Sequence, residues 1–195
     1  MTDLVSIIMP AFNSEKFIDE SIKSVVDQTY ESWELIVCSD NSNDNTDSLV
    51  KNWCAIDSRI KLVKNTHNKG APGARNSCLD NTKGRFIAFL DSDDIWLPNK
   101  LDLQVSFMLL NKYEFTYSYH EIMNENGKII SRCMAPKLVN IKSMKFSNFI
   151  PCLTVIYDAS VIGKVYQPDI RKRNDYALWL KILNKKKSLN AFCFK

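Results

Sequence analysis

The sequence predicts an α/β domain in which a mostly parallel sheet is flanked by helices, and three observations carry that expectation. Over about the first hundred residues, short runs rich in β-branched and aromatic residues alternate with segments of helical period, as strands joined by right-handed crossovers do. The fullest run, Phe86-Ile87-Ala88-Phe89-Leu90, is apolar throughout rather than alternating, as a strand buried on both faces must be. Polar clusters follow the strands, which brings them together beyond the carboxyl ends, where such sheets bind ligands.

Leu4 to Met9 forms the first strand and stops at Pro10, which has no N–H to give a ladder. After the turn Pro10-Ala11-Phe12-Asn13, a helix capped by Asn13 or Ser14 carries Phe17, Ile18, Ile22, Val25 and Val26 at core spacing. Trp33 to Cys38 is the second strand, and the polar run Ser39 to Thr46 caps a helix bearing Leu49, Val50 and Trp53. Ile60 to Val63 is a third, shorter strand. The loop Asn68 to Gly73 then opens a helix with Pro72 near its first turn and Ala74, Cys78 and Leu79 turned inward. Arg75 and Asn76 lie in its first turns, where free N–H groups and the helix dipole favour an anion. The fourth strand, Phe86 to Leu90, runs straight into Asp91-Ser92-Asp93-Asp94.

Beyond Ile95-Trp96-Leu97-Pro98, a helix holds Leu101, Val105, Met108 and Leu109 at core spacing. Glu114 to Ser118 and Glu121 to Ser131 are strand material, the latter broken by a two-residue hairpin turn at Asn126-Gly127. Cys133 to Asn148 shows no clear period and reads as loop with a short helix. Leu153 to Tyr157 is another strand. A helix begins near Asp175, after Arg171-Lys172-Arg173, and Lys185 to Lys187 close it. These lysines favour the helix dipole as solvated residues, with membrane contact the lesser alternative. Leu189 to Phe194 is strand-like, with no closing element after it.

A chain of 195 residues suits one domain. With 45% hydrophobic and 25% charged residues it is neither disordered nor fibrous. A net charge of +4 fits an anionic substrate or a weak membrane-surface preference and is too small to argue for nucleic acid. No apolar run approaches the roughly 20 residues that span a bilayer, and no basic region and cleavage site open the chain, so a cytoplasmic protein is expected. Cys38, Cys54, Cys78, Cys133, Cys152 and Cys193 are dispersed, which predicts free buried thiols. His67 and His120 form no ligand spacing.

Pro10-Ala11-Phe12-Asn13 stands where a dinucleotide fold needs its glycines, and no Gly-Lys-Ser or Gly-Lys-Thr of a P-loop occurs. A nucleotidyltransferase would want a Gly-rich loop bearing Lys or Arg in the same place. Asp91 and Asp93, one residue apart at the end of a buried strand with Trp96 and Pro98 behind them, are suited to a hard divalent ion and its phosphates. The alternative is a solvated turn. Asp40 can accept a hydrogen bond from a base or ribose, or serve a turn; Asp175 can act as a base, or cap its helix.

Six motifs in order, Ile7 to Asn13, Gln28-Thr29-Tyr30, Ser39 to Thr46, Ala74-Arg75-Asn76, Phe89 to Asp94 and Asn174 to Trp179, together resemble the family 2 glycosyltransferases. Ser39 stands where many members have an aspartate, and Asn174 where Glu or Gln is frequent. The resemblance covers nearly the whole chain and implies the GT-A (nucleotide-diphospho-sugar transferase) fold, a mostly parallel Rossmann-like sheet. It implies one domain over 1–195, with a nucleotide-sugar-binding half at 1–98 and an acceptor-side half at 99–195. Members usually continue past the last strand here, so the chain is read as C-terminally shortened.

By the same resemblance Pro10, Ala11, Phe12 and Asp40 hold the nucleotide base, and Arg75 lies near base and diphosphate. In the Asp-x-Asp motif, Asp91 faces the ribose, Ser92 stays on the nucleotide side and Asp93 holds Mn²⁺ or Mg²⁺. Asp175 is the general base. The expected reaction is inverting, metal-dependent transfer of a hexose from a nucleotide sugar, with a UDP-sugar as donor. The expected acceptor is a bacterial polysaccharide or glycolipid, reached by peripheral association at the inner face of the plasma membrane. The alternative is a nucleotide-sugar-binding module with little or no transfer.

Overall fold

The computed structural model describes residues 3–124, 126–170, 172–186 and 189–194. Arg171, Lys187 and Glu125, which the sequence reading placed beside the last helix and in the hairpin, lie outside the described residues.

Strands β1 (Val5–Ala11) and β2 (Trp33–Ser39) are buried at every position, and β3 (Ile60–Lys64) and β4 (Phe86–Phe89) run parallel to them. The crossovers are helices α1 (Ile18–Val26), α2 (Thr46–Ile56) and α3 (Ala71–Asp80). After α4 (Lys100–Asn111) the strands shorten: β5 (Phe115–Ser118), the hairpin β6 (His120–Met123) and β7 (Ile129–Cys133), then β8 (Leu138–Val139). Helix α5 (Ile141–Met144), a single 3₁₀ turn at Cys152–Thr154, β9 (Ile156–Asp158), α6 (Ala159–Ile162), α7 (Asn174–Leu183) and β10 (Ala191–Phe194) complete the chain. The main sheet has eight strands in the order β3-β2-β1-β4-β9-β5-β10-β8, with β9 and β8 antiparallel to their neighbours. It is therefore mixed but mostly parallel, as the sequence predicts.

Alternate residues of each central strand feed two cores, because side chains along a strand point to opposite faces. Ile8, Ile36, Ile87 and Phe89 pack with Cys78 of α3 and Trp179 and Ile182 of α7. Ile7, Leu35 and Ala88 pack with Ile22 of α1, Val50 of α2 and Val105 of α4. Each fully buried aliphatic side chain contributes about 1.5–3 kcal/mol of burial free energy. A continuous apolar strand is thus held from both sides, and its free carboxyl end becomes a firm platform.

Several local expectations are corrected. Asn13 and Ser14 do not cap α1 with their side chains; the Ser14 carbonyl accepts from the Phe17 and Ile18 N–H groups, and its hydroxyl is used elsewhere. Phe17 and Leu109, read as core, are 47% and 44% exposed. The hairpin turn is longer than two residues: Met123 faces Ile129, and the Asn124 side chain accepts from the Asn126 and Lys128 N–H groups. Leu153 and Thr154 belong to the 3₁₀ turn, not to a strand. All six cysteines are free, but Cys54, Cys133 and Cys152 are only half-buried.

Candidate functional site

The loops after β1 and β2 are sewn together by side-chain-to-backbone bonds. Asn13 N–H donates to Ser42 Oγ, Asn43 N–H to Asn13 Oδ1, Glu15 N–H to Asp44 Oδ2, and Asn45 N–H to Glu15 Oε2. The Asp44 carboxylate also accepts from Thr46 N–H and Oγ1, so the run of small polar residues works as a clasp rather than a simple cap. Ser39 donates to Asp47 Oδ1 at 2.5 Å, giving this serine a carboxylate partner of its own.

Asp40 is buried where β2 ends. Its two carboxylate oxygens accept from Asn65 Nδ2 and from the Gly70 N–H, both at 2.7 Å. Gly70 is the N-cap of α3, with φ +112°, a value that glycine adopts most readily. Gly73, one turn on, is pressed against the same loop: a Cβ there would lie 1.8 Å from the Asn68 carbonyl oxygen. The Asp40 bonds and the Gly73 contact hold the start of α3 against the β2 end.

Arg75, on the buried side of that helix, is 6% exposed. Its Nη2 donates to Asp91 Oδ1 at 2.5 Å, and its Nη1 donates to Asn174 Oδ1 at 3.2 Å and Gln167 Oε1 at 3.5 Å. Burial works against the guanidinium's charge, but Asp91 and Asp175 beside it outweigh burial, and its pKa is raised. The neighbouring Cys152 thiol is pushed up by burial and stays protonated.

Beyond β4, Ser92 Oγ shares a 2.7 Å hydrogen bond with Ser14 Oγ, which ties the acidic loop to the loop after β1. Asp93 is exposed. Asp94 N–H closes a turn on the Asp91 carbonyl, and burial, then the charges of Asp91 and Asp93, push the Asp94 carboxyl up to about 7. The segment that follows is clamped by the Gln28-Thr29 pair: Gln28 Nε2 donates to the Leu97 carbonyl, Gln28 Oε1 accepts from Leu101 N–H, and Thr29 N–H donates to the Pro98 carbonyl. Trp96 Nε1 donates to the Leu153 carbonyl.

A cavity of about 410 Å³ opens between these loops. Pro10, Ala11, Phe12, Asp40, Arg75, Asp91, Ser92 and Asp93 all line it, together with Lys69, Gly70, Ala71 and Ala74. Asp175 is not part of this lining. It stands in the first turn of α7 beside Asn174, and its Oδ2 accepts from Asn148 Nδ2 at 3.0 Å. Sequence reasoning missed Lys69, whose Nζ lies 5.8 Å from the Phe12 ring centre, and the anchoring Asn65, Ser14 and Gln167. A cation just before a helix N-terminus was a readable signal for Lys69; the other three depend on folding alone.

The cavity presents Arg75 and Lys69 beside three carboxylates, Asp40, Asp91 and Asp93, so a further cation would help it receive an anion. Among the described residues no three His, Cys, Asp or Glu side chains form a metal cage. Asp91 and Asp93 nevertheless offer the hard oxygens that Mn²⁺ or Mg²⁺ takes, and the Asp94 carboxyl beside them is raised first by burial and then by the charges of Asp91 and Asp93. Two carboxylates with ligand phosphates completing the shell is the usual arrangement for Mg²⁺, and the residues present fit it. Among the described residues no helix is long and apolar enough to cross a membrane.

Residues 6–161 match the family described as Glycosyl transferase family 2. The UDP-Glc:alpha-D-GlcNAc-diphosphoundecaprenol beta-1,3-glucosyltransferase WfgD of Escherichia coli is 49% identical over 180 residues, which cover 92% of this chain and 70% of WfgD. The putative teichuronic acid biosynthesis glycosyltransferase TuaG of Bacillus subtilis is 37% identical over 183 residues, 93% of this chain and 73% of TuaG. The crystal structure of S. aureus TarS 1-349 superposes with a TM-score of 0.78 at 24% identity. It covers 98% of this chain, which spans only 58% of that one.

Proposed function

The chain belongs to glycosyl transferase family 2, and on that premise we propose that it transfers a hexose, with inversion, from a UDP-sugar to a lipid-linked saccharide. One observation carries this reading: the cavity that Asp40, Arg75, Asp91 and Asp93 line is joined, through the Arg75–Asn174 bond, to the helix turn that bears Asp175. The cavity and the turn that bears the proposed base thus share a contact with one guanidinium, Asn174 being the residue it bonds on that turn. The name of WfgD, with UDP-glucose as donor and a GlcNAc-diphosphoundecaprenol acceptor, makes glucose and a polyprenol-diphosphate sugar the first pair to test.

Asp40 and the Pro10-Ala11-Phe12 turn receive the base, Arg75 and Asp91 face the ribose and diphosphate, and Lys69 adds positive charge at the mouth. Asp91 and Asp93 would hold a divalent ion, which when bound supplies compensation for the charge that grows on the leaving diphosphate. Asp175 removes the proton of the acceptor hydroxyl as that oxygen attacks the anomeric carbon. A single displacement inverts the centre. A lipid-linked acceptor brings the protein to the membrane surface, reached peripherally from the cytoplasmic face.

The test is transfer of labelled glucose from UDP-glucose to a GlcNAc-diphospholipid in the presence of Mn²⁺. Asp175→Asn is expected to lower turnover by about 10³-fold or more while UDP still binds. Retained turnover in that variant would remove Asp175 from the mechanism, and UDP binding without transfer to any acceptor would favour a binding module.

A further inference from the structure

The segment that crosses over α3 is fastened twice by Asn76. Its Oδ1 accepts from the Gln167 N–H at 2.8 Å, and its Nδ2 donates to the Gln167 carbonyl at 3.1 Å. With its backbone held, the 5% exposed Gln167 side chain offers its oxygen to Arg75 Nη1, the same nitrogen that bonds Asn174. The other arm of the guanidinium bonds Asp91. One planar, rigid fork therefore joins a donor-side carboxylate to two amides from the far half of the chain, 92 and 99 residues away.

The first turn of α7 needs such a tie. Its N-cap, Arg173, sits at φ +56° and provides no side-chain cap, so the turn lacks the local bond that commonly stabilises a helix start. Distant contacts replace it: Asn174 to Arg75, Asp175 to Asn148, and Tyr176 Oη to the Met144 carbonyl. Only the first of these reaches the cavity.

Resting on the functional reading above, we infer that Gln167 and Asn174 are positioning residues that couple the donor pocket to the turn bearing Asp175, so that UDP in the pocket orders that turn. A ligand that restrains Arg75 and Asp91 restrains the fork, and the fork restrains Asn174 through Nη1, the nitrogen that the Gln167 oxygen holds in place. Asn76 keeps the Gln167 backbone in place whatever side chain stands there, so the coupling can be cut without unfolding the segment.

Hydrogen exchange of the backbone at 174–177, measured with and without UDP and Mn²⁺, reads the coupling. In the wild type UDP is expected to slow exchange there about tenfold, and in Gln167→Met to leave it unchanged although UDP affinity stays within about threefold. Turnover of Gln167→Met should fall about tenfold with little change in the donor KM, and Gln167→Glu, which keeps the acceptor oxygen, should recover most of it. UDP binding with no change at 174–177 in the wild type, or full turnover in Gln167→Met, overturns the coupling alone. No UDP binding at all overturns the functional reading and the coupling with it.

Discussion

At the amino end of the sheet the buried carboxylate of Glu34 accepts from Ser6 Oγ, Lys61 Nζ and the Lys83 N–H at 2.6–2.9 Å, whereas at the carboxyl end Asp91, Asp93 and Asp94 share one loop, of which Asp91 bonds Arg75 of α3. Burial would raise the pKa of Glu34, but its three partners bring it below the ordinary value; at the other end Asp94 is pushed up to about 7. Asp158, also at the amino end, is closed off by Arg85 and by Ser160. One end of the sheet thus satisfies its acids and the other leaves negative charge over. The difference points to the carboxyl end as the candidate site, since a perturbed carboxyl in an acid cluster beside a cavity marks where a ligand or cation can bind.

The contrast is broken most severely at Asp93. Asp93→Ala is expected to lower transfer by about 10³-fold, or ~4 kcal/mol of transition-state stabilisation, and to abolish Mn²⁺-dependent UDP binding by calorimetry, while the melting temperature holds or rises. Glu34→Ala should do the reverse, lowering stability and sparing the turnover of the folded fraction. Unchanged Mn²⁺-dependent binding in Asp93→Ala would take the metal role away from this residue.

The carboxyl end was the more legible of the two. β4 reads as an unbroken apolar run because both its faces are covered, and the polar residues after it and after β1 and β2 had nowhere to go but the shared edge. Asp40, Arg75, Asp91 and Asp93 therefore stood out one by one. What joined them did not. Arg75 meets residues 16, 92 and 99 positions away, and Ser14 meets Ser92 across 78. Such pairings depend on where whole elements dock, and single amides such as Asn65 and Gln167 carry no local pattern. The far half of the sheet was harder for a related reason: β9 enters between β4 and β5 as a three-residue antiparallel strand, too short to show a period.

Glycines sharpen the comparison, because each end holds one in tight contact with backbone. A Cβ on Gly73 would lie 1.8 Å from the Asn68 carbonyl oxygen, and one on Gly84 would lie 2.6 Å from the Ser6 nitrogen and 2.7 Å from the Leu4 carbonyl oxygen. Both alanine variants are expected to lose about 2–3 kcal/mol in denaturant unfolding, since backbone must move to admit the methyl group. They differ in function. Gly73→Ala displaces the loop that carries Gly70 and Asn65, the partners of Asp40, and UDP affinity should fall about tenfold or more. Gly84→Ala, at the closed end, should bind UDP as the wild type does. Equal UDP affinity in the two variants would show that the Asn65–Gly70 loop does not shape the pocket.

The smallest effect separates the two ends by the sign of their pH dependence. Glu34 has a depressed folded pKa against an ordinary 4.5, so its stabilisation is present above that value and is lost as pH falls through the folded pKa. Asp94 has a raised one, so its contribution is present below the ordinary carboxylate range and is lost as pH rises through about 7. Thermal melts with a chelator present should therefore find Glu34→Gln less stable than the wild type by on the order of 1–2 kcal/mol near neutrality, the gap closing below about pH 4. Asp94→Asn should melt a few degrees above the wild type at about pH 8 and converge with it only below about pH 4, where the carboxyl is protonated in both the folded and the unfolded chain. Adding Mn²⁺ and UDP should shrink the Asp94→Asn gap and leave the Glu34→Gln gap in place, because only the carboxyl end has charge left for a ligand to balance. If both gaps respond alike to the ligand, the two ends are not electrostatically distinct.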